Sequence, residues 1–202
     1  MFFGELASAF AVDYQPLQSA LSTQEWREAD RQTTRLLIKV FNLQMGLEPN
    51  QINLSRYTIE QCQILPCTDL NTIDRLWTHY SQGQYGLSVQ REIWLALADL
   101  PDIDTHWNKL KSDPIGWLGW CFDIVLDATG EDRDARSFIH WDRFGEKVGW
   151  RQQGNLTSFD ELFSRPIPRG GLPAMFPRLL ETNIWLSLLE RVNYCSRESS
   201  DR

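Results

Sequence analysis

STQEWREADRQTTRLLIKVF, residues 22–41, decides the fold class. Within it Trp26, Ala29, Thr33, Leu36, Leu37, Val40 and Phe41 recur three and four apart. That is the spacing of one face of an α-helix. Arg27, Asp30, Arg31 and Lys39 fall on the opposite face. Ser22, followed three residues later by Glu25, reads as a capping box and starts the helix directly behind Ser22. Residues 14–21 read as a shorter helix entered through Pro16.

The same period recurs outward from this stretch. Leu70, Ile73, Leu76, Trp77 and Tyr80 make a stripe on a helix that starts near Thr68 or Asp69 and stops at Ser81-Gln82-Gly83. Val89, Ile93, Trp94 and Leu97 mark another, from about Ser88 to Ala98. Phe138, Trp141, Phe144 and Val148 give a short helix that Gly145 and Gly149 interrupt. Ser158 and Glu161 form a second capping box. Leu179, Leu180, Ile184, Leu188, Leu189 and Val192 line a last helix over about 178–195. Residues 46–56 and 127–136 read as loops, and residues 164–177, with four prolines and two glycines, exclude regular structure. Nothing alternates strand with helix. The expectation is an all-α chain with long irregular loops: an N-terminal extension over 1–12, one helical domain over 13–195, and a tail over 196–202.

Composition excludes several function classes. With 27 acidic and 20 basic residues among 202, the net charge is -7, against the basic surface that general nucleic-acid binding needs. No run reaches the ~20 apolar residues of a membrane span. Residues 1–12 are apolar but contain Glu5 and no basic start, so they read as a docking helix or a disordered tail rather than a signal peptide. Cys62, Cys67, Cys121 and Cys195 are few and scattered, which reads as reduced, buried thiols in a cytoplasmic protein. No P-loop or dinucleotide-binding glycine pattern occurs. His79, His106 and His140 stand far apart, and Cys62 and Cys67 lack a second pair. The acidic loop Asp127, Glu131, Asp132, Asp134 misplaces Gly130 and Arg133 for calcium. No segment presents a nucleophile, a base or a metal set, so the reading is a non-enzyme that requires no cofactor.

Four segments carry more. They are Tyr14-Gln15-Pro16-Leu17 leading to Trp26-Arg27-Glu28-Ala29-Asp30 and Thr34; Leu65-Pro66-Cys67 leading to Asp69-Leu70 and Ile73-Asp74-Arg75-Leu76-Trp77; the run Tyr80 to Gln90, YSQGQYGLSVQ; and the run Trp141 to Arg151, WDRFGEKVGWR. In order, spacing and residue type they resemble the genomes-uncoupled-four family, the tetrapyrrole-binding regulators of magnesium chelatase in photosynthetic organisms. The resemblance covers roughly residues 13–175. It implies an all-helical, cupped-hand domain whose palm binds protoporphyrin IX or Mg-protoporphyrin IX without catalysing anything. It also implies the large subunit of magnesium chelatase as a protein partner, with no nucleic acid and at most a peripheral contact with membranes.

A porphyrin is a wide apolar disc with two carboxylates on one edge. Burying a few hundred Å² of each face is worth several kcal/mol at ~25 cal/mol/Å², less the cost of association. Trp141, Phe144, Tyr85, Leu87 and Val89 can supply flat or branched walls, with Leu172 in the loop above them. Arg165 and Arg169 can supply the rim, since a guanidinium pairs with both carboxylate oxygens. Their Pro/Gly-rich loop, Gly170-Gly171-Leu172-Pro173 included, can act as a flap. A packing role stands beside each assignment: Phe144, Val148 and Trp150 lie on a core stripe, Tyr85 and Leu87 follow a glycine turn, and Asp69 and Asp74 suit capping or pairing with Arg75. Trp26, Trp77, Trp94 and Trp185 belong to the core, and Trp141 is the tryptophan expected to face a ligand. Three positions depart from the family's pattern: Leu87 for its phenylalanine, Thr78 for its valine, and Glu92 for a second basic residue. A glutamate near two propionates repels them. The departures imply altered tetrapyrrole binding, or a sensory or protein-interaction module with a changed ligand.

Overall fold

The computed structural model describes residues 6–49, 51, 57–97, 141–153 and 155–200. Phe138, Trp107, Trp117, Trp120, His106, His140, Cys121 and the acidic loop over 127–136 lie outside them. The order is α1 (Gln15–Ser22), α2 (Trp26–Gln44), α3 (Ile59–Gln63), α4 (Cys67–Tyr80), α5 (Leu87–Leu97), α6 (residues 141–147), β1 (Arg151–Gln152), β2 (Asn155–Leu156), α7 (Phe159–Phe163), α8 (Met175–Leu179) and α9 (Thr182–Ser200). The chain is all-α, as its periodicity requires. The strands form one antiparallel hairpin that pairs Arg151 with Leu156 and Gln152 with Asn155.

Periodicity placed most of each stripe correctly, but it set Asp30 on the polar face of α2, where it is fully buried, and Leu179 on a core stripe, where it is exposed, and it placed two helix starts wrongly. Ser22 does not cap α2. It is the last residue of α1, and its hydroxyl donates to the Ser19 carbonyl at 2.8 Å. Gln24, at φ +58°, reverses the chain, and Glu25 becomes the N-cap of α2. The polar stretch serves a tight turn between two helices, a use that a capping box mimics in sequence. At the C-terminal end, Leu180 is extended and divides α8 from α9, so the last helix begins at Thr182. The Ser158–Glu161 box forms as read, and a second one, Thr58–Gln61, starts α3.

Helix α1 packs on α2 and α4, α9 lies across α3, α4 and α5, and α8 packs on α2. Leu17, Leu37, Leu70, Ile73, Leu76 and Trp77 are fully buried between them. Asp69 is also fully buried. Its carboxylate accepts from the Tyr14 hydroxyl (2.7 Å), the Ser8 hydroxyl (2.6 Å) and the Ala9 N–H (2.9 Å). Thr72 adds a bond to the Ala7 carbonyl at 2.7 Å. From residue 6 onward the extension is therefore stitched to α4, with Val12 buried and Leu6 and Phe10 against the core. Asp69 neither caps α4 nor pairs with Arg75 in this arrangement: it satisfies the chain that crosses it.

The expectation of reduced thiols fails at two of the four cysteines. Cys67, at the start of α4, and Cys195, near the end of α9, form a disulfide across 128 residues, with Cα atoms 4.9 Å apart. Their separation in sequence hides the pairing; the docking of α9 makes it. Arg191 Nε donating to the Leu65 carbonyl (2.8 Å) and Asn71 donating to the Cys195 carbonyl (3.1 Å) fix the same junction. Cys62 stays free and buried, and burial pushes its thiol up to about 12.

Replacing Asp69 with Ala is expected to lower the unfolding free energy by about 2–4 kcal/mol, since three donors lose a charged acceptor. Tyr14→Phe removes one of the three bonds and should cost about 1 kcal/mol. Urea unfolding of both variants checks the order, and equal costs would contradict it. Cys195→Ser is expected to cost about 2–4 kcal/mol by releasing a long loop in the unfolded chain. The same cost should appear in the unaltered protein when dithiothreitol is added.

Candidate functional site

The Pro/Gly loop before α8 has no repeating hydrogen bonds of its own, yet Gly170, Gly171, Leu172, Pro173 and Ala174 are all buried. Buried backbone polar groups need partners, and four elements provide them. The Gly170 N–H donates to the Gln84 carbonyl (2.7 Å), and the Gly86 N–H donates to the Leu172 carbonyl (3.0 Å). Gln90 on α5 donates to the Pro173 carbonyl (2.7 Å), and the Trp150 indole donates to the Gly171 carbonyl (2.7 Å). On α2, the Asp30 carboxylate accepts from the Ala174 N–H (2.8 Å) and the Met175 N–H (3.2 Å). Tyr85 OH donates to the Ile167 carbonyl at 3.1 Å. The loop expected to be a mobile flap is thus fastened along its length. Gly170 has φ +77°, a left-handed conformation that favours glycine, and a side chain there would overlap Ile93.

Asp30 is the costliest of these partners. It is fully buried, and desolvation raises its carboxyl from the ordinary value of 3.8 to about 6, against the lowering effect of the Met175 and Ala174 N–H groups. Asp74 does the same work for α5: its carboxylate accepts from the Ser88 N–H at 2.9 Å, and burial raises it too.

Beside the loop sits a cluster of five rings drawn from α5, α6, the turn behind α6, and α9. Trp141 lies 5.1 Å from Trp185, 5.9 Å from Phe144 (stacked, 23°), 6.0 Å from Trp150 and 6.5 Å from Trp94. Phe144, Trp150 and Trp185 are closed off from solvent, whereas Trp141 is only partly covered. Trp141 also lines a cavity of about 150 Å³, together with Trp150, Arg151, Arg178, Leu180 and Thr182. Arg178 holds one wall by donating to the Thr157 carbonyl (2.6 Å) and lying 4.5 Å over the Phe159 ring. Sequence singled out neither Arg178 nor Thr182, because neither falls in a stripe or a motif.

The eight residues proposed as ligand contacts divide by environment. Leu87, Phe144 and Leu172 are fully buried, Tyr85 and Val89 nearly so. Tyr85 packs edge-on against Trp26 and Trp77, 5.3 and 6.2 Å away. Trp141 presents part of its surface. Arg165 is committed to the hairpin, donating to Gln152 Oε1 (3.1 Å), Thr157 Oγ1 (3.3 Å) and the Gly149 carbonyl (3.4 Å). Arg169 is exposed, and its Nη2 lies 2.5 Å from Glu92 Oε2. Among the described residues no group of three His, Cys, Asp or Glu side chains is placed to hold a metal ion.

A family model described as GUN4-like matches residues 7–190. The chain is 35% identical over 157 residues to the ycf53 protein of Pyropia yezoensis, 78% of this chain and 54% of that one. It is 35% identical over 91 residues to the chloroplastic tetrapyrrole-binding protein of Arabidopsis thaliana, 45% of this chain and 31% of that one. It spans about half the length of the red-algal relatives it matches. The GUN4 structure from Chlamydomonas reinhardtii superposes over 92% of each chain with a TM-score of 0.54 at 22% identity, which is a likeness of fold.

Asp30 generates a pH signature. Its carboxyl is raised in the folded chain, so its contribution to stability is fully present below about pH 4 and is lost as pH rises through about 6. Asp30→Asn removes that titration. From pH 4 to 7 the unfolding free energy of the unaltered protein should fall relative to the variant by up to about 3 kcal/mol, measured by denaturant unfolding. A difference that moves the other way contradicts the assignment.

Proposed function

The chain belongs to the GUN4-like family, and from that premise we propose that it is a tetrapyrrole-binding regulatory protein, not a catalyst. The ligand is protoporphyrin IX or Mg-protoporphyrin IX, held non-covalently, and the regulated partner is the large subunit of magnesium chelatase. The observation that carries the reading is Trp141, an aromatic face left partly uncovered at the edge of a five-ring cluster and beside a cavity. A flat apolar ligand gains dispersion and burial against such a face. The cavity, about 150 Å³, is below the ~300 Å³ at which small-molecule pockets begin. A porphyrin therefore lies across its mouth, with Trp141 as the floor. Regulation and no reaction suits such a site: it offers area and orientation, with Arg178 bonded to the Thr157 carbonyl and Arg151 paired with Asp142.

The cytoplasmic setting expected from reduced thiols loses that support at Cys67 and Cys195, whose disulfide an oxidising compartment favours. No helix among the described residues is long and apolar enough to cross a membrane. A second reading, a sensory or interaction module that has changed its ligand, is favoured by the fastened loop over residues 170–175, since a loop bonded at each step closes on a disc only at the cost of those bonds.

Titration with protoporphyrin IX, followed by quenching of tryptophan fluorescence, separates the two. The first reading expects saturable quenching. Trp141→Ala should weaken it about ten-fold or more, because a large apolar face is lost, whereas Trp141→Phe should stay within a few-fold. Arg165→Ala should change affinity little, since its guanidinium is spent on the hairpin. Absence of quenching up to the solubility limit favours the second reading.

A further inference from the structure

We infer that the cavity beside Trp141 is a carboxylate seat that takes a single propionate of the disc, with Arg178 as its donor; the inference rests on the tetrapyrrole reading above. The charged members of the lining are Arg151, Arg178 and Glu181. Arg151 is already paired with Asp142, Nε to Oδ1 at 2.8 Å. Glu181 is exposed, so solvent screens its charge. Arg178, on α8, is the remaining cation, and its guanidinium is only partly used. Nη2 donates to the Thr157 carbonyl at 2.6 Å, and the group lies 4.5 Å over the Phe159 ring. Nη1 is shut off from solvent and has no hydrogen-bond partner.

A charged donor buried without an acceptor is costly, and native folds rarely keep one without a use. Burial lowers Arg178 from its ordinary pKa, against the raising effect of Asp30. The fully buried Trp185, in the first turn of α9 and 5.1 Å from Trp141, likewise has an indole N–H with no partner. Both of these orphans are donors, so the region is short of an acceptor. A carboxylate supplies one, and a charged pair is the stronger kind of hydrogen bond. The volume of about 150 Å³ admits a carboxylate arm and not a macrocycle. With the disc lying on Trp141, one propionate turns inward to Nη1, while Nη2 keeps the Thr157 carbonyl. The second propionate stays in solvent, since the cavity has room for one arm and Asp142 already neutralises Arg151. The seat therefore tells an acid from an ester and counts one carboxylate.

The test is fluorescence titration of the full chain with protoporphyrin IX, its monomethyl ester and its dimethyl ester, in one mild detergent. The unaltered protein should bind the diacid about ten-fold more tightly than the dimethyl ester, as one charge-assisted hydrogen bond allows. The monomethyl ester, with one free propionate, should stay within about two-fold of the diacid, because one arm fills the seat. Arg178→Gln keeps a donor for the Thr157 carbonyl and removes the charge. It should weaken the diacid about ten-fold, to the level of the dimethyl ester, and leave the dimethyl ester unchanged. Equal affinity of the unaltered protein for diacid and dimethyl ester, or an Arg178→Gln loss that the dimethyl ester shares, would overturn the carboxylate seat while leaving the tetrapyrrole reading in place. A monomethyl ester as weak as the dimethyl ester would overturn the count of one. Quenching by none of the three porphyrins would overturn both the seat and the tetrapyrrole reading.

Discussion

The placing of α2, α5, α6 and the turns beside them depends on how the buried, irregular backbone of residues 170–175 is satisfied. A segment with no ladder of its own cannot be buried unless its N–H and C=O groups find partners elsewhere. Here those partners come from α2 (Asp30), the turn before α5 (Gln84, Gly86), α5 (Gln90) and the turn behind α6 (Trp150). Moving any one of these elements leaves a buried group unpaired, at a cost of about 1–3 kcal/mol. The loop is therefore the piece around which the surrounding elements are registered.

That register also builds the aromatic cluster. Trp150 bonds the Gly171 carbonyl through its in-plane indole N–H, and in that position its ring meets Phe144 at 5.4 Å and Trp141 at 6.0 Å. Helix α9 closes the cluster with Trp185, and the same helix is fastened at its far end by the Cys67–Cys195 disulfide. The partly covered face of Trp141 is what remains after four rings have packed around it. A flat ligand would meet a floor whose orientation is set by tertiary contacts on several sides, as a preorganised site requires.

Charge around the site follows a different logic. Buried carboxylates at Asp30, Asp69 and Asp74 serve backbone N–H groups and the Tyr14 and Ser8 hydroxyls, and at Asp30 and Asp74 desolvation outweighs those bonds and raises the carboxyl. At the surface, Arg169 and Glu92 neutralise each other. The acidic chain thus spends its charges on holding its own loops, which is why a rim of free arginines, plausible from the sequence, is not what the described residues present.

Sequence alone determined the helical class, the stripes on α2, α4, α5 and α9, the Ser158 cap and the family, because each is written in residue spacing within a few turns or in short contiguous motifs. Of the four tryptophans it assigned to the core, Trp77, Trp94 and Trp185 are buried as their stripes require, whereas Trp26 is only partly buried against the core. It could not determine that Ser22 ends a helix, since a tight turn and a capping box use the same residues. Nor could it determine that Cys67 meets Cys195, that Asp69 secures residues 8 and 9, or that Arg165 and Arg169 have different neighbours. Those are contacts between residues tens of positions apart. They arise only when the docking of α9 and the closing of the 170–175 loop choose one arrangement among the many that the same local patterns permit.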